Sequence, residues 1–225
     1  MSTVTSIRQP VADYLGALLA DHAQLPTSPL ARINSLRAEA VHRLDDLELP
    51  TVRDEAWRFT DMSELTKQSF KPARSATSLE VADVAHLYIE EARTRLVFVD
   101  GTYAPQLSSV ETDSGLVASN LPTVFTTHAA AIDAHLGHLV TFRDEVFAAL
   151  NTAFLSDAAV VVMPRNVALS APVHLLFIAT QTGVVTSPRC LVVAESGSLM
   201  TVVEDYVVLD QPGRQEGVYF TNAVT

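Results

Sequence analysis

The 225-residue sequence has a single cysteine, Cys190, and few basic side chains: 15 Lys and Arg stand against 26 Asp and Glu, giving a formal charge of −11. One cysteine excludes an internal disulfide framework and a cysteine-rich metal site within one copy of the chain. The acidic balance argues against nucleic acid as a partner, because phosphate contacts need clustered Lys and Arg. A reducing compartment fits this composition.

Long apolar runs are also missing. The sequence contains no stretch of about 18 uncharged apolar residues, and residues 1–6 show no basic region followed by an apolar run. We therefore predict a cytoplasmic protein that does not enter a membrane. Close to half of the residues are hydrophobic (48%), which is enough for a sizeable core.

Common catalytic motifs are absent too, since the sequence has no GxxxxGK(S/T), GxGxxG, HExxH, GxSxG or CxxC. Glu204 and Asp205 are the acidic pair nearest to what glycoside cleavage requires. Neighbouring residues on a strand point to opposite faces, so these two carboxylates could not converge. We interpret them as solvated turn acids and assign no catalytic, cofactor-binding or metal-binding residue.

Helical patterns occupy much of the first two thirds of the chain. Pro10 is suited to a first helical turn, and Ser28 and Pro29 are suited to the start of a second helix. The first two helices are predicted to pair as a hairpin. The predicted helices cover residues 10–19, 28–50, 127–136 and 143–155.

The segment 51–65 is polar but carries Trp57, the single tryptophan. We predict a short helix and a turn here. Trp57 is interpreted as a core anchor, because large aromatic side chains dominate small cores. Asp54 and Arg58, four residues apart, are predicted to pair on the helix. The following stretch, 66–78, has no periodicity and is predicted to be an exposed connection.

Residues 95–103 alternate in polarity and contain Asp100-Gly101, a pair typical of a tight hairpin turn. We predict a strand that enters this turn, and a further strand near 115–118. Beyond residue 157 the hydrophobic period is two. The predicted strands there cover residues 160–163, 173–180, 190–194, 199–203, 206–209 and 218–224.

No helical pattern separates these later strands, which excludes a doubly wound sheet and leaves a sandwich, a barrel or a β-helix. Short Ser-Gly-Ser and Asn-type corners favour the β-helix. The predicted class is α+β. Residues 1–157 form a mainly α-helical region with a small strand pair near 95–118, and residues 158–225 begin a parallel β-helix that is incomplete.

The last predicted strand reaches Thr225 without a turn or a polar cap, whereas stacked repeats need polar capping units. We therefore expect that the chain continues beyond Thr225. An open strand edge invites pairing, so we also expect self-association through this edge.

Three histidines are the candidates for a metal site. His128, His135 and His138 would lie near one face of a continuous helix. Gly137 weakens that helix, and no carboxylate or cysteine occurs at matching spacing. A surface or helix-end role is therefore favoured over metal binding.

The β-rich region contains two further residues of interest, Cys190 and His174. Cys190 opens an alternating apolar run and is interpreted as a buried, inert thiol, because free cysteine is among the most buried residue types. The strand that contains His174 is apolar on both faces. We expect a helical layer or another subunit to cover it.

The stretch Leu49-Pro50-Thr51-Val52-Arg53-Asp54-Glu55-Ala56-Trp57-Arg58-Phe59-Thr60-Asp61 resembles the LP-x(3)-DE-x-W-(K/R)-(Y/F)-T-D motif of the SufD family, a component of the SUF system of iron-sulfur cluster assembly. Segments similar to that family follow in the same order at 96–101, 149–153, 161–167, 171–174, 188–195 and 204–206. The resemblance covers essentially the whole chain, and the family continues for roughly as many residues again.

This resemblance implies an N-terminal helical region, a right-handed parallel β-helix and C-terminal helices. It further implies a non-catalytic scaffold subunit of a SufBCD complex that supports iron acquisition. Its partners would be a related SufB and the SufC ATPase, which hydrolyses ATP. An iron-sulfur cluster would be present only transiently, in the whole complex, and a single thiol does not supply the usual cluster ligands.

The expected contacts with SufB and SufC lie in the C-terminal half, so the resemblance assigns no site residue here. Two other functions stay open at this point. One is a β-helix carbohydrate-active enzyme whose site lies beyond Thr225. The other is a metal-binding carrier that uses His128, His135 and His138.

Overall fold

A computed structural model describes residues 8–111, 115–209 and 217–225, in which helices are combined with three β-sheets. This mixture agrees with the predicted α+β class. The α-helices are α1 (Arg8–Ala20), α2 (Ala31–Leu44), α3 (Ser63–Thr66), α4 (Val81–Val84), α5 (Leu121–His135) and α6 (Val146–Ala153). Short 3₁₀ helices cover His22–Gln24, Glu55–Trp57, Ala85–Leu87 and Pro105–Leu107.

The strands are β1 (Lys71–Pro72), β2 (Thr94–Val99), β3 (Thr102–Tyr103), β4 (Val117–Asn120), β5 (Ala159–Met163), β6 (Val173–Ala179), β7 (Val184–Thr186), β8 (Cys190–Ala194), β9 (Val202–Val208) and β10 (Phe220–Thr221). Sheet I has the order β1-β7-β10, sheet II the order β3-β2-β6-β9, and sheet III the order β4-β5-β8. β3 is antiparallel to β2, and β4 is antiparallel to β5. The other strand pairs are parallel.

The later strands visit the three sheets in a repeated order. β5, β6 and β7 lie in sheets III, II and I, and β8, β9 and β10 lie in the same sheets in the same order. Each strand of the second set pairs in parallel with its counterpart in the first set. The chain therefore makes two successive circuits through the three sheets.

Apolar side chains of sheets II and III fill the space between them. Phe98 of β2 stacks on Phe177 of β6 with ring centroids 5.2 Å apart, and Phe177 stacks at the same distance on Tyr206 of β9. Val161 and Met163 of β5 are completely buried on the facing side. Burial of these large side chains gives the circuits a common apolar interior.

The outer faces of both sheets are also covered. Val160 and Leu191 on the outer face of sheet III belong to a core shared with the helices. Leu176 and Ile178 on the outer face of sheet II pack with Leu79, Val84 and Leu107. The prediction that a layer covers the strand around His174 is confirmed, and residues of the same chain supply that layer.

The hairpin of β2 and β3 forms where the sequence predicts it. Asp100 and Gly101 have φ angles of 48° and 81°, the left-handed values that a two-residue hairpin turn needs. Asp100 is buried, and its carboxylate accepts hydrogen bonds from the backbone and hydroxyl groups of Thr180, both at 2.8 Å. The turn is therefore fixed to the end of β6.

Two predictions about the N-terminal helices are wrong. α2 ends at Leu44 rather than near Pro50, and it packs on α6 instead of forming a hairpin with α1. The small residues Ala148 and Ala149 on α6 allow this close approach and are buried. The spacing of apolar residues predicts that a helix has an apolar face, but it does not show which distant helix packs against that face.

Three strand predictions also need correction. Within the segment 66–78, predicted to be an exposed connection, Lys71–Pro72 forms β1 and pairs with β7. The strand β7 itself was not predicted. Residues 199–203 and 206–209 were predicted as two strands, but the single strand Val202–Val208 pairs with all seven residues of β6.

In the ranges that the structure describes, no helix is long and apolar enough to cross a membrane. Residues 1–6, on which the expected absence of a leader rests, lie outside the described residues. The domain boundary at residues 157 and 158 stays a prediction.

Candidate functional site

The three candidate histidines do not form one cluster. α5 is interrupted at His128, whose φ and ψ are −128° and 35°, so the three do not share the face of one regular helix. Nε2 of His138 lies 2.7 Å from a guanidinium nitrogen of Arg32. Within residues 8–111, 115–209 and 217–225, no group of three His, Cys, Asp or Glu side chains is arranged to hold a metal ion.

A polar cluster lies at the inner face of the second circuit. Glu204 pairs in register with Leu175, and its Oε2 accepts hydrogen bonds from Tyr206 at 2.6 Å and Thr225 at 2.7 Å. The Cys190 Sγ lies 3.7 Å from the same oxygen. The interpretation of Glu204 as a turn acid is wrong, because it lies within β9 and faces inward.

Burial raises the pKa of the Cys190 thiol to about 12, and the Glu204 carboxylate adds to this shift. A thiol with that pKa stays protonated near neutral pH, and the protonated form is a poor nucleophile and metal ligand. Cys190 is also only 4% exposed. The predicted burial of Cys190 is confirmed, and its inert character stays a prediction.

His174 and Asp205 form a second polar pair on the outer face of sheet II. His174 Nε2 lies 3.0 Å from Asp205 Oδ2, and the imidazole is fully buried. Burial lowers the pKa of His174, the Asp205 carboxylate opposes this effect, and the Arg95 guanidinium adds to it. Asp205 is thus a strand residue rather than a turn acid, and no substrate could reach the buried ring.

Side chains at the junction of α6 and the sheets connect the two circuits. Asn151 Nδ2 donates to the backbone oxygens of Pro188 at 2.7 Å and Asn222 at 2.6 Å. Asn222 Nδ2 donates in turn to the backbone oxygen of Phe147 at 2.8 Å. These residues are buried or partly buried. Their hydrogen bonds attach α6 to the two chain segments that directly follow β7 and β10.

A concave surface lies beside Trp57. Its indole is half-buried and packs on Phe147, with ring centroids 5.4 Å apart, and Phe147 meets Phe220 edge-on at 6.5 Å. The groove has a volume of about 470 Å³ and is lined by Trp57, Met62, Glu145, Phe147, Ala148 and residues 220–224. We call this surface the Trp57 groove.

The short helix and turn predicted around Trp57 are present as Glu55–Trp57 and α3. The predicted Asp54–Arg58 pair is wrong. Asp54 accepts a hydrogen bond from the backbone of Thr51 at 2.7 Å, while Arg58 pairs with Glu55 at 3.0 Å. Trp57 lies at the edge of the core, beside an open groove, rather than within the core.

The Trp57 groove differs from the buried polar pairs because solvent can reach it. Cys190 and His174 are buried, whereas the Trp57 groove is open, is lined by apolar and polar residues, and runs along the strand β10. Sequence reasoning identified Trp57 but missed Phe147 and Phe220 as its neighbours. Only the three-dimensional arrangement of α6 and β10 brings these aromatic rings together.

Comparisons with known proteins identify a family and several relatives. Residues 10–175 match the model of a family described as the SufBD protein N-terminal region. An iron-sulfur cluster assembly SufBD family protein of Synechocystis is 37% identical over 197 residues, which cover 84% of this chain and 43% of the relative. The iron-sulfur cluster assembly protein SufD of Bacillus subtilis is 26% identical over 81% of this chain and 43% of its own length.

The chloroplastic protein ABCI7 of Arabidopsis thaliana is 25% identical over 97% of this chain and 46% of its own length. The chain therefore spans about half the length of the curated relatives that it matches.

Proposed function

Because the chain belongs to the SufBD family of iron-sulfur cluster assembly proteins, we propose that it acts as a non-catalytic scaffold subunit of a SufBCD-type complex. The observation that carries this proposal is the family match over residues 10–175, together with the 37% identity to the Synechocystis relative. In this role the chain supports iron acquisition and cluster assembly.

The arrangement of the polar side chains supports a role without catalysis. The buried His174 and Cys190 are held away from solvent, and burial shifts their pKa values away from those that favour proton transfer or nucleophilic attack. ATP hydrolysis is assigned to a SufC-type partner. The iron-sulfur cluster belongs to the whole complex, where it is held transiently.

We further propose that residues 158–225 are the first circuits of a right-handed parallel β-helix. The repeated order of sheets III, II and I and the parallel pairing between successive circuits support this fold. A stack of such circuits offers a long lateral surface to a SufB-like sister subunit. We propose that the direct contacts with SufB and SufC lie outside residues 1–225. We also propose that the protein is cytoplasmic.

The alternative function, that of a β-helix carbohydrate-active enzyme, is not supported by the arrangement of Glu204 and Asp205. Glycoside cleavage needs two carboxyl groups that face one another across a substrate. Glu204 bonds Tyr206 on the inner side of β9, and Asp205 bonds His174 on the outer side.

Affinity capture tests the proposed function. The chain, extended to the length of its relatives and tagged, is expressed in its own cells, and the co-purifying proteins are identified by mass spectrometry. We expect an ABC-type ATPase and a SufB-like protein with the extended form but not with residues 1–225 alone. Capture of neither protein by the extended form would overturn the scaffold role.

A further inference from the structure

Three aromatic side chains line the Trp57 groove. The indole of Trp57 packs on the ring of Phe147 with an interplanar angle of 36°, and the ring of Phe220 meets that of Phe147 at 87°. All three side chains are half-buried, so part of each is open to solvent. The face of an aromatic ring attracts a cation, and indole does so most strongly. The groove therefore offers aromatic surface suited to a positively charged group.

The charge of the groove favours the same kind of ligand. Glu145 lines the groove, and no Lys, Arg or His side chain of the described ranges does so. The whole chain also carries a formal charge of −11. A cation that approaches the groove is therefore attracted, whereas an anion is repelled.

The carboxylate of Glu145 is not used by the fold. Glu145 is the N-cap residue of α6, but its side chain makes no capping hydrogen bond. It forms no ion pair with any residue that the structure describes, and the nearby Arg143 pairs with Glu39 at 2.8 Å instead. Because Glu145 is also exposed, its carboxylate is free to bind a ligand.

A guanidinium group matches both features of the groove. It is planar, stacks on aromatic rings and donates two parallel hydrogen bonds to a carboxylate, whereas the ammonium of lysine is a compact point charge. The chain already uses such stacking elsewhere, since Arg95 lies 3.5 Å from the ring centroid of Tyr88 and Arg58 lies 4.5 Å from that of Phe59.

The size and shape of the groove indicate how the guanidinium is presented. The volume of about 470 Å³ falls within the roughly 300–1,000 Å³ of typical ligand sites. Sites for small molecules enclose most of the ligand, whereas the rings of this groove stay partly open to solvent. An open groove of this kind suits a side chain that projects from a protein surface.

We propose that the Trp57 groove binds an arginine side chain of a partner protein. The guanidinium lies against the aromatic rings and pairs with the carboxylate of Glu145. This contact is separate from those with SufB and SufC, so the inference goes beyond the proposed scaffold role. It gives Trp57 a function in recognition.

Fluorescence of Trp57, the single tryptophan, tests this binding directly. Five-residue peptides that differ only at a central arginine, lysine, glutamine or glutamate are titrated into the chain. We expect the arginine peptide to change the emission of Trp57 and to bind about tenfold more tightly than the glutamine peptide. Absence of binding, or equal binding of the four peptides, would overturn the proposal.

The variant Glu145→Gln tests the role of the carboxylate, and Asp144→Asn is the matched control. Asp144 is the exposed neighbour of Glu145 and does not line the groove. Glu145→Gln is expected to weaken binding of the arginine peptide about fivefold and to leave the glutamine peptide unaffected. Asp144→Asn should change neither affinity by more than about twofold.

The variant Phe220→Leu tests the aromatic contribution, because leucine keeps an apolar side chain but removes the ring. We expect the preference for arginine over glutamine to fall. An unchanged preference in both Phe220→Leu and Glu145→Gln would contradict the proposal.

Two further measurements exclude other occupants. Calorimetry repeats the arginine titration with a form extended to the length of its relatives, and loss of binding there would overturn the proposal. A change in Trp57 emission that follows protein concentration without peptide would identify a second copy as the occupant instead. Failure of the scaffold role is distinguishable, because capture of the ATPase and the SufB-like protein should be the same for the extended form with and without Glu145→Gln.

Discussion

The buried guanidinium of Arg37 donates a hydrogen bond from Nε to the backbone oxygen of Leu155, 2.6 Å away and 118 residues further along the chain. Nη1 of the same side chain donates to the backbone oxygen of Pro26 at 2.8 Å. Arg37 thus joins α2 to the segment that leads from α6 into β5. This contact helps to explain why α2 packs on α6 rather than on α1.

The variant Arg37→Met tests the importance of this junction. Methionine retains much of the apolar stem but leaves the oxygens of Leu155 and Pro26 without these donors, so we expect the free energy of unfolding to fall by about 2–4 kcal/mol. Urea denaturation measures the change. Arg53→Met, at an exposed arginine, is the control and should change the free energy by less than about 0.5 kcal/mol. Equal effects of the two variants would contradict the structural role.

We expect the free energy of unfolding to depend on both the side chain and the backbone angles of Asp100 in the turn between β2 and β3. Asp100→Ala removes the acceptor used by Thr180 and places alanine at a φ of 48°, so we expect a loss of about 2–4 kcal/mol. Asp100→Asn tolerates the left-handed backbone and keeps one acceptor oxygen, and should lose less. Thermal and urea denaturation would measure the stability of both variants. A larger loss of stability in Asp100→Asn than in Asp100→Ala would contradict the prediction.

The stability of the fold should decrease as the pH falls below about 6.5, the ordinary pKa of histidine. Burial lowers the pKa of His174 in the folded chain, and the same is true of His22. The unfolded chain therefore takes up protons first as the pH falls. Stability is lost until the pH passes below the folded pKa values, and it is unaffected by these groups above pH 7.5.

The variant His174→Gln should weaken this pH dependence without abolishing it, because His22 contributes in the same direction. The free energy of unfolding is compared at pH 7.5 and pH 5 for the wild type and the variant. His42→Gln is the control, since that side chain is 84% exposed. If His174→Gln left the difference between the two pH values unchanged, His174 would not be a source of the effect.

The parts of the fold that were predictable depend on local chemistry. Asp100-Gly101 specifies its turn through the backbone angles these residues tolerate. The apolar runs of β5 and β6 are visible because both faces of these strands are buried. By contrast, β7 has three residues, too few for a periodic pattern, and its place in sheet I depends on strands far away in the sequence.

The prediction of two strands and a turn in place of β9 is wrong for a different reason. Glu204 and Asp205 interrupt the apolar pattern and suggest a turn. The strand accommodates them because each carboxylate finds a partner on its own side, Tyr206 inside and His174 outside. Such partners compensate for the burial of polar groups within a strand, and sequence spacing alone does not reveal them.

Chemical labelling of Cys190 offers a final test of the inner polar cluster. With its pKa raised to about 12, the thiol is almost entirely protonated at pH 8, and the side chain is buried. We expect a disulfide reagent to react with the folded chain at least about a hundredfold more slowly than with the chain unfolded in urea. Similar rates in both states would contradict the inert character of Cys190.

The variant Glu204→Gln should separate burial from the effect of the Glu204 carboxylate, the two causes that raise the pKa of the Cys190 thiol. Removing the carboxylate removes the smaller contribution, while burial, which is the larger one, remains. The thiol should therefore react somewhat faster in the folded variant, but still far more slowly than in urea. Glu90→Gln, at an exposed glutamate, is the control and should not change the rate. Full reactivity of folded Glu204→Gln would instead make the carboxylate, rather than burial, the main protection of Cys190.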